Sequence, residues 1–269
     1  MINYTERIAL LMQDIVDRTP SLSFIDLSEV LVFARFGRSE AEGAFATCHC
    51  LTLPESEPGY FFWRDRDTGE LTRRSEWFVT KSPIVKLGDT SIKYLISFAL
   101  PRFCDQTLER TRKAYLYPGA PGWLAKLDTV VHELYHIDPN ETGIRRFVRA
   151  DGSDSFRTHG PQFYEQVAAM VTSYLASKPD PSMYDFLRDD FAELNAKHGG
   201  VVSTTFRNFP SFPQRYMERL EMPADCSVRV EPLKPLTQPV LYTENDIHIR
   251  QFTGSRTNRL SRKGEGQAA

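Results

Sequence analysis

The chain has 269 residues, 41% hydrophobic and 25% charged side chains, a balance that excludes a disordered chain. No apolar run is long enough for a transmembrane helix, the first residues lack the basic start of a secretory signal, and four cysteines make no disulfide framework at this length; reduced thiols, a cytoplasmic setting and no membrane association are expected. Net charge is −2, but the stretch from Ile247 to Ala269 carries Arg250, Arg256, Arg259, Arg262 and Lys263 against Glu265, or +4, which leaves −6 on the rest. An extended nucleic-acid groove across an acidic body is disfavoured, so any phosphate contact is expected to be local.

In chain order, Ile8, Leu11, Met12 and Ile15 recur at helical spacing and predict an amphipathic helix over Tyr4 to Arg18, closed by Pro20. Strands are expected at Val30 to Phe36 and Ala44 to Leu51. A β-hairpin is expected from Tyr60–Arg64 and Glu76–Val79 around the turn at Asp67-Thr68-Gly69, and a further strand at Ile92 to Leu100. The second half reads as helical: Trp123 to Ile137, Pro161 to Ser177, and Met183 to Lys197 before Gly199-Gly200. Six of the 17 prolines follow Gly200, so only short strands are expected there, at Ser227–Val230, Val240–Tyr242 and Ile247–Ile249. The predicted organisation is one domain over residues 1–200 and an extension with short strands and a basic tail over 201–269.

The segment that carries chemistry is Thr129-Val130-Val131-His132-Glu133-Leu134-Tyr135-His136. Four residues turn a helix by about 400°, so His132 and His136 lie one turn apart on one face, where two imidazoles reach one metal. Glu133 lies about 60° round from His136, close enough to act on a metal-activated water without being a ligand. This His-Glu-x-x-His geometry points to metal-assisted hydrolysis with Glu133 as general base. A pair of solvated or core histidines flanking a surface glutamate is the plainer alternative.

A catalytic zinc takes three protein ligands and keeps one position open. An extended motif with Gly at 139 and His at 142 is excluded by Pro139 and Thr142. Two candidates remain: Glu165 on the following helix, and His159 in Thr158-His159-Gly160-Pro161-Gln162-Phe163. Zinc's preference for nitrogen favours His159, whose other reading is a helix-entry histidine without a metal.

His132-Glu133-Leu134-Tyr135-His136 followed by His159-Gly160-Pro161-Gln162-Phe163 resembles the SprT-like zinc metalloproteases, which include the Spartan-type DNA–protein-crosslink proteases. The resemblance spans roughly Tyr4 to Lys197. It implies His132, His136 and His159 as Zn2+ ligands and Glu133 as the catalytic acid/base. Two departures bear on substrate and on any DNA connection: Cys226 is the only cysteine beyond Cys104, so no C-terminal zinc ribbon can be assembled, and the stretch from Phe45 to Lys86 is longer than a minimal core needs.

The expected fold is therefore α+β and zincin-like, a small and largely antiparallel sheet against two or three helices. The expected function is hydrolysis of peptide bonds in a protein substrate, with DNA-associated proteins reached through the basic tail. A cytoplasmic regulatory protease cleaving a repressor, and a zinc-stabilised binding module without catalysis, are the competing readings. Cys48 and Cys50 share one face of their strand and His49 the other, which favours two buried thiols over a second metal site. The aromatic and arginine residues of the hairpin, interrupted by Asp65, Asp67, Glu70 and Glu76, read as a half-buried hairpin more than as a base-stacking platform.

Overall fold

A computed structural model describes residues 1–52, 78–81, 83–111, 113–141, 143–148, 150–152, 158–160, 162–206, 216–219 and 241–253. Most of the expected hairpin, the strand at Ser227–Val230, Cys226 and the tail from residue 254 lie outside the described residues.

Strand β1 (Ile2–Asn3) leads into helix α1 (Tyr4–Arg18), where the Asn3 side chain accepts the Glu6 amide. Ile8, Leu11, Met12 and Ile15 of α1 are fully buried. Strands β2 (Val30–Gly37), β3 (Ala46–Cys50), β4 (Phe78–Lys81), β5 (Ile84–Leu87), β6 (Thr90–Ser91) and β7 (Tyr94–Pro101) follow. Then come helices α2 (Leu124–Tyr135), α3 (Phe163–Ala176) and α4 (Phe191–His198), and strands β8 (Val201–Phe206), β9 (Tyr216–Arg219), β10 (Leu241–Tyr242) and β11 (Ile247–Phe252). The architecture is mixed, four α-helices with small sheets, and is compatible with an α+β class. No helix among the described residues is long and apolar enough to cross a membrane.

The sheet behind the metal-motif helix has the order β2-β7-β3. Every residue of β7 is buried, as expected of a central strand covered on both faces. β3 pairs with it antiparallel, Cys48 opposite Ile96, but β2 pairs with it parallel, Val32 opposite Ile96. The sheets are thus mixed, not largely antiparallel. The long excursion between Gly37 and Tyr94 brings the chain back to the same end, which parallel pairing requires. A Cβ on Gly37 would lie 2.7 Å from the Ala99 Cβ, so this glycine permits the two strands to close together.

Two expectations for the second half are corrected. The helix expected over Met183 to Lys197 is two 3-10 turns, Pro181–Met183 and Asp185–Leu187, followed by α4. Asp190 restarts the chain with a capping box: its carboxylate accepts the Glu193 amide at 2.8 Å, and Glu193 accepts the Asp190 amide at 2.8 Å. The stretch after Gly200 also holds longer strands than its prolines suggest. β8 pairs parallel with β1 and antiparallel with β11, with Val201 opposite Phe252. The chain past residue 200 is therefore stitched to the N-terminus, and Val201 and Phe252 join the main core.

That core holds α1, α2, α3 and the inner face of the β2-β7-β3 sheet. Leu127, Val130, Val131 and Leu134 of α2 are fully buried, each such side chain contributing about 1.5–3 kcal/mol by leaving water. The burial fixes the rotation of α2, and with it the direction of the motif's polar residues.

Candidate metal centre

His132 lies in the last turn of α2 and His136 is its C-cap residue. The end of the helix is braced: the Arg145 amide donates to the His136 carbonyl at 2.8 Å, and the Arg145 Nε donates to the Tyr135 carbonyl at 2.8 Å. His159 arrives from the segment before α3. A Cβ on the adjacent Gly160 would lie 2.8 Å from the Phe147 Cβ, so a glycine lets this segment close on the chain at Phe147. The Phe163 ring of α3 then lies 4.8, 5.0 and 4.7 Å from the rings of His132, His136 and His159.

The structure brings His132, His136 and His159 together. The His132 Nε2 lies 3.1 Å from the His136 Nε2 and 3.1 Å from the His159 Nε2. Three ligands at Zn–N distances near 2.05 Å in a tetrahedron would be about 3.3 Å apart; the two spacings from His132 are close to that value, and all three ligand atoms lie within 4.8 Å of one another. Neutral imidazoles alone satisfy this contact poorly, because each ring has one N–H and one lone pair to share among three converging nitrogens. A cation accepts all three lone pairs at once. Among the described residues this triad is the group of side chains able to hold a metal ion. Glu165, the other candidate third ligand, is exposed at the start of α3 and accepts the Tyr115 hydroxyl at 3.1 Å; it is not part of that group.

Protonation also suits metal binding. Burial is the main cause that holds the His132 imidazole well below its ordinary value and pushes His136 down to about 3. His159 is the exposed member of the three, and partial desolvation of its ring lowers it as well. All three are therefore neutral at neutral pH, the ligand form. The Thr158 hydroxyl lies 3.3 Å from the His159 Nδ1, an arrangement that leaves Nε2 for the metal. Among the described residues the Nδ1 atoms of His132 and His136 are buried without a hydrogen-bond partner. Their orientation rests on packing against Phe163 rather than on the usual carboxylate or carbonyl.

Glu133, next to His132 in the chain, is buried and is not a member of the triad. Burial pushes its carboxyl up to about 8, against the opposing pull of Lys113, the Cys48 backbone amide and Arg35. The Cys48 contact ties Glu133 to β3, one of the two edge strands of the sheet, against which α2 packs. Cys48 is half-buried and Cys50 buried, both as free thiols.

Sequence reasoning passed over Lys113, Tyr117 and Asp128. Asp128, fully buried one turn before His132, accepts the Tyr117 hydroxyl at 2.6 Å and pairs with the Lys113 ammonium. A carboxylate at i−4 from the first histidine, among the leucines of a buried helix, was the available signal. The basic tail divides: Arg250 sits in β11 opposite Ser203, while Arg256, Arg259, Arg262 and Lys263 lie outside the described residues.

No protein-family model, no curated protein and no solved structure matches this chain.

Proposed function

We propose that the chain is a zinc-dependent metallopeptidase with a SprT-like, zincin-type site, hydrolysing peptide bonds of a protein substrate. The observation that carries the reading is the convergence of three imidazole Nε2 atoms with a buried, non-ligating glutamate next to them. Three nitrogen ligands with a fourth position left free is a catalytic zinc set. Zinc, when bound, supplies Lewis acidity to the scissile carbonyl and lowers the pKa of water.

The remaining work falls to the protein's own groups. Glu133 stands next to the triad, where a cation's charge favours its carboxylate form over the protonated form that burial alone prefers. As a carboxylate it accepts a proton from the attacking water, whose oxygen bonds to the carbonyl carbon while the C=O π pair moves onto oxygen. Glu133 then hands that proton to the amide nitrogen as the C–N bond breaks, so the acid/base cycle closes on one residue. Among the described residues no strand pairs with the outer edge of β3, and that edge, next to Glu133, offers backbone groups to an extended substrate.

The test compares wild type with Glu133→Gln. Wild type should carry one zinc per chain and cleave an unstructured protein such as casein. The variant should keep its zinc and lose cleavage. Cleavage that survives the substitution refutes the assignment, and zinc binding without cleavage by wild type points instead to a binding module.

A further inference from the structure

We propose that Lys113 is a second electrostatic group of the site, its ammonium receiving the negative charge that develops on the scissile carbonyl oxygen. This inference rests on the peptidase reading above and adds a residue that the His-Glu-x-x-His motif does not contain.

The Lys113 Nζ pairs with Asp128, whose side chain is only 1% exposed, while the Lys113 side chain is 12% exposed. Asp128 is held in turn by the Tyr117 hydroxyl at 2.6 Å, so the carboxylate has two donors and the ammonium a fixed anchor. Asp128 lies one helical turn before His132, on the metal-motif helix itself. On the other side the Lys113 Nζ is 6.0 Å from the Tyr164 ring centroid. Tyr164 stacks on His159, 5.6 Å between centroids and 7° between planes, and lies 6.0 Å from the His132 ring. Lys113 is thus bracketed between the helix that carries His132 and the aromatic ring that covers His159. Phe163 packs against all three imidazoles from α3.

A cation in this position works against the resting site. It repels a divalent metal, and burying an ion pair is a weak source of stability that a well-packed neutral pair could match. The arrangement gains its advantage when a negative charge appears. Water addition places one on the carbonyl oxygen, and a preorganised donor stabilises that charge more than it stabilises the neutral substrate. Lysine suits the task, since its ammonium is a compact point charge on a flexible stem.

The experiment uses the full chain. Lys113→Met alone would strand a buried carboxylate, so the main variant joins it to Asp128→Asn, which keeps the acceptor for Tyr117. Lys113→Arg preserves the charge. Zinc affinity is read by chelator competition. Binding of inorganic phosphate, a tetrahedral anion, is read from the visible spectrum of the cobalt-substituted protein, and kcat and KM come from casein-derived peptides. The double variant should fold and bind zinc as tightly as wild type or more so. It should bind phosphate at least about tenfold more weakly and lose about 100-fold in kcat with KM little changed, as for removal of one such donor, and Lys113→Arg should recover part of both. Phosphate affinity and kcat within about twofold of wild type would overturn the assignment, as would loss of zinc or of folding, which would make the pair a structural pin. If wild type cleaves no peptide, the peptidase reading fails by itself and the phosphate titration still decides the role of Lys113.

Discussion

Acidification of the metal-free protein should destabilise it through His136. Its imidazole is pushed down to about 3 in the folded protein, chiefly by burial, against about 6.5 in an unfolded chain. Between these values the unfolded state binds the proton and the folded state does not, so stability is intact above about pH 6.5 and falls as pH drops toward 3. At about pH 5 the single histidine removes ~2 kcal/mol, from the ratio of the two binding polynomials. His132 is shifted in the same direction and steepens the loss. The assay is urea unfolding followed by circular dichroism in the presence of a chelator, at pH 7 and pH 5, for wild type and His136→Gln. Carboxylates titrate in both proteins, so the difference between them isolates the histidine. Wild type should lose about 2 kcal/mol more than the variant. Equal losses would refute a buried neutral imidazole at this position.

Three further outcomes follow from the same geometry. His159→Ala should abolish stoichiometric zinc binding while Glu165→Ala leaves it nearly unchanged, read by metal analysis after dialysis. Gly160→Ala should push the His159 segment away from Phe147, given the 2.8 Å approach, and weaken zinc by about ten- to 100-fold as loss of a supporting contact does; chelator competition measures it. Truncation after Thr253 removes Arg256, Arg259, Arg262 and Lys263 yet spares β11, whose Phe252 is buried. If the tail binds DNA, the full chain should show a salt-dependent affinity with a log–log slope of up to about −3.6 on duplex DNA, which the truncated chain lacks. Equal binding by the two at low salt would remove the tail from the account.

Much of what positions the site is local and therefore legible in the sequence. The spacing of Ile8, Leu11, Met12 and Ile15 marks α1 between Asn3 and Thr19, because one residue caps the start and Pro20 stops the end. His132, Glu133 and His136 obtain their relative directions from helix geometry alone. The place of His159 is not local: it depends on Phe147 closing over Gly160 and on Phe163 packing against the imidazoles. Lys113 and Tyr117 meet Asp128 only after the chain folds back on α2, and no periodicity encodes that meeting. The parallel pairing of β2 with β7 depends on where a long excursion returns, which strand patterns do not specify. β8 is legible in its own residues. Val201, Val202, Thr204, Thr205 and Phe206 are strong strand formers directly after Gly199-Gly200, the first of which ends α4 in the left-handed region at φ 67°, but the prolines further on mask that signal.

The central claim is that the three histidines hold one zinc and leave a position open. X-ray absorption at the zinc edge, on protein loaded with one equivalent, tests it directly. Three histidine nitrogens at about 2.0–2.1 Å and one further oxygen ligand, with no sulfur, are expected. A sulfur shell at about 2.3 Å, which would bring in Cys48 or Cys50, or a fourth protein nitrogen closing the site, would contradict it.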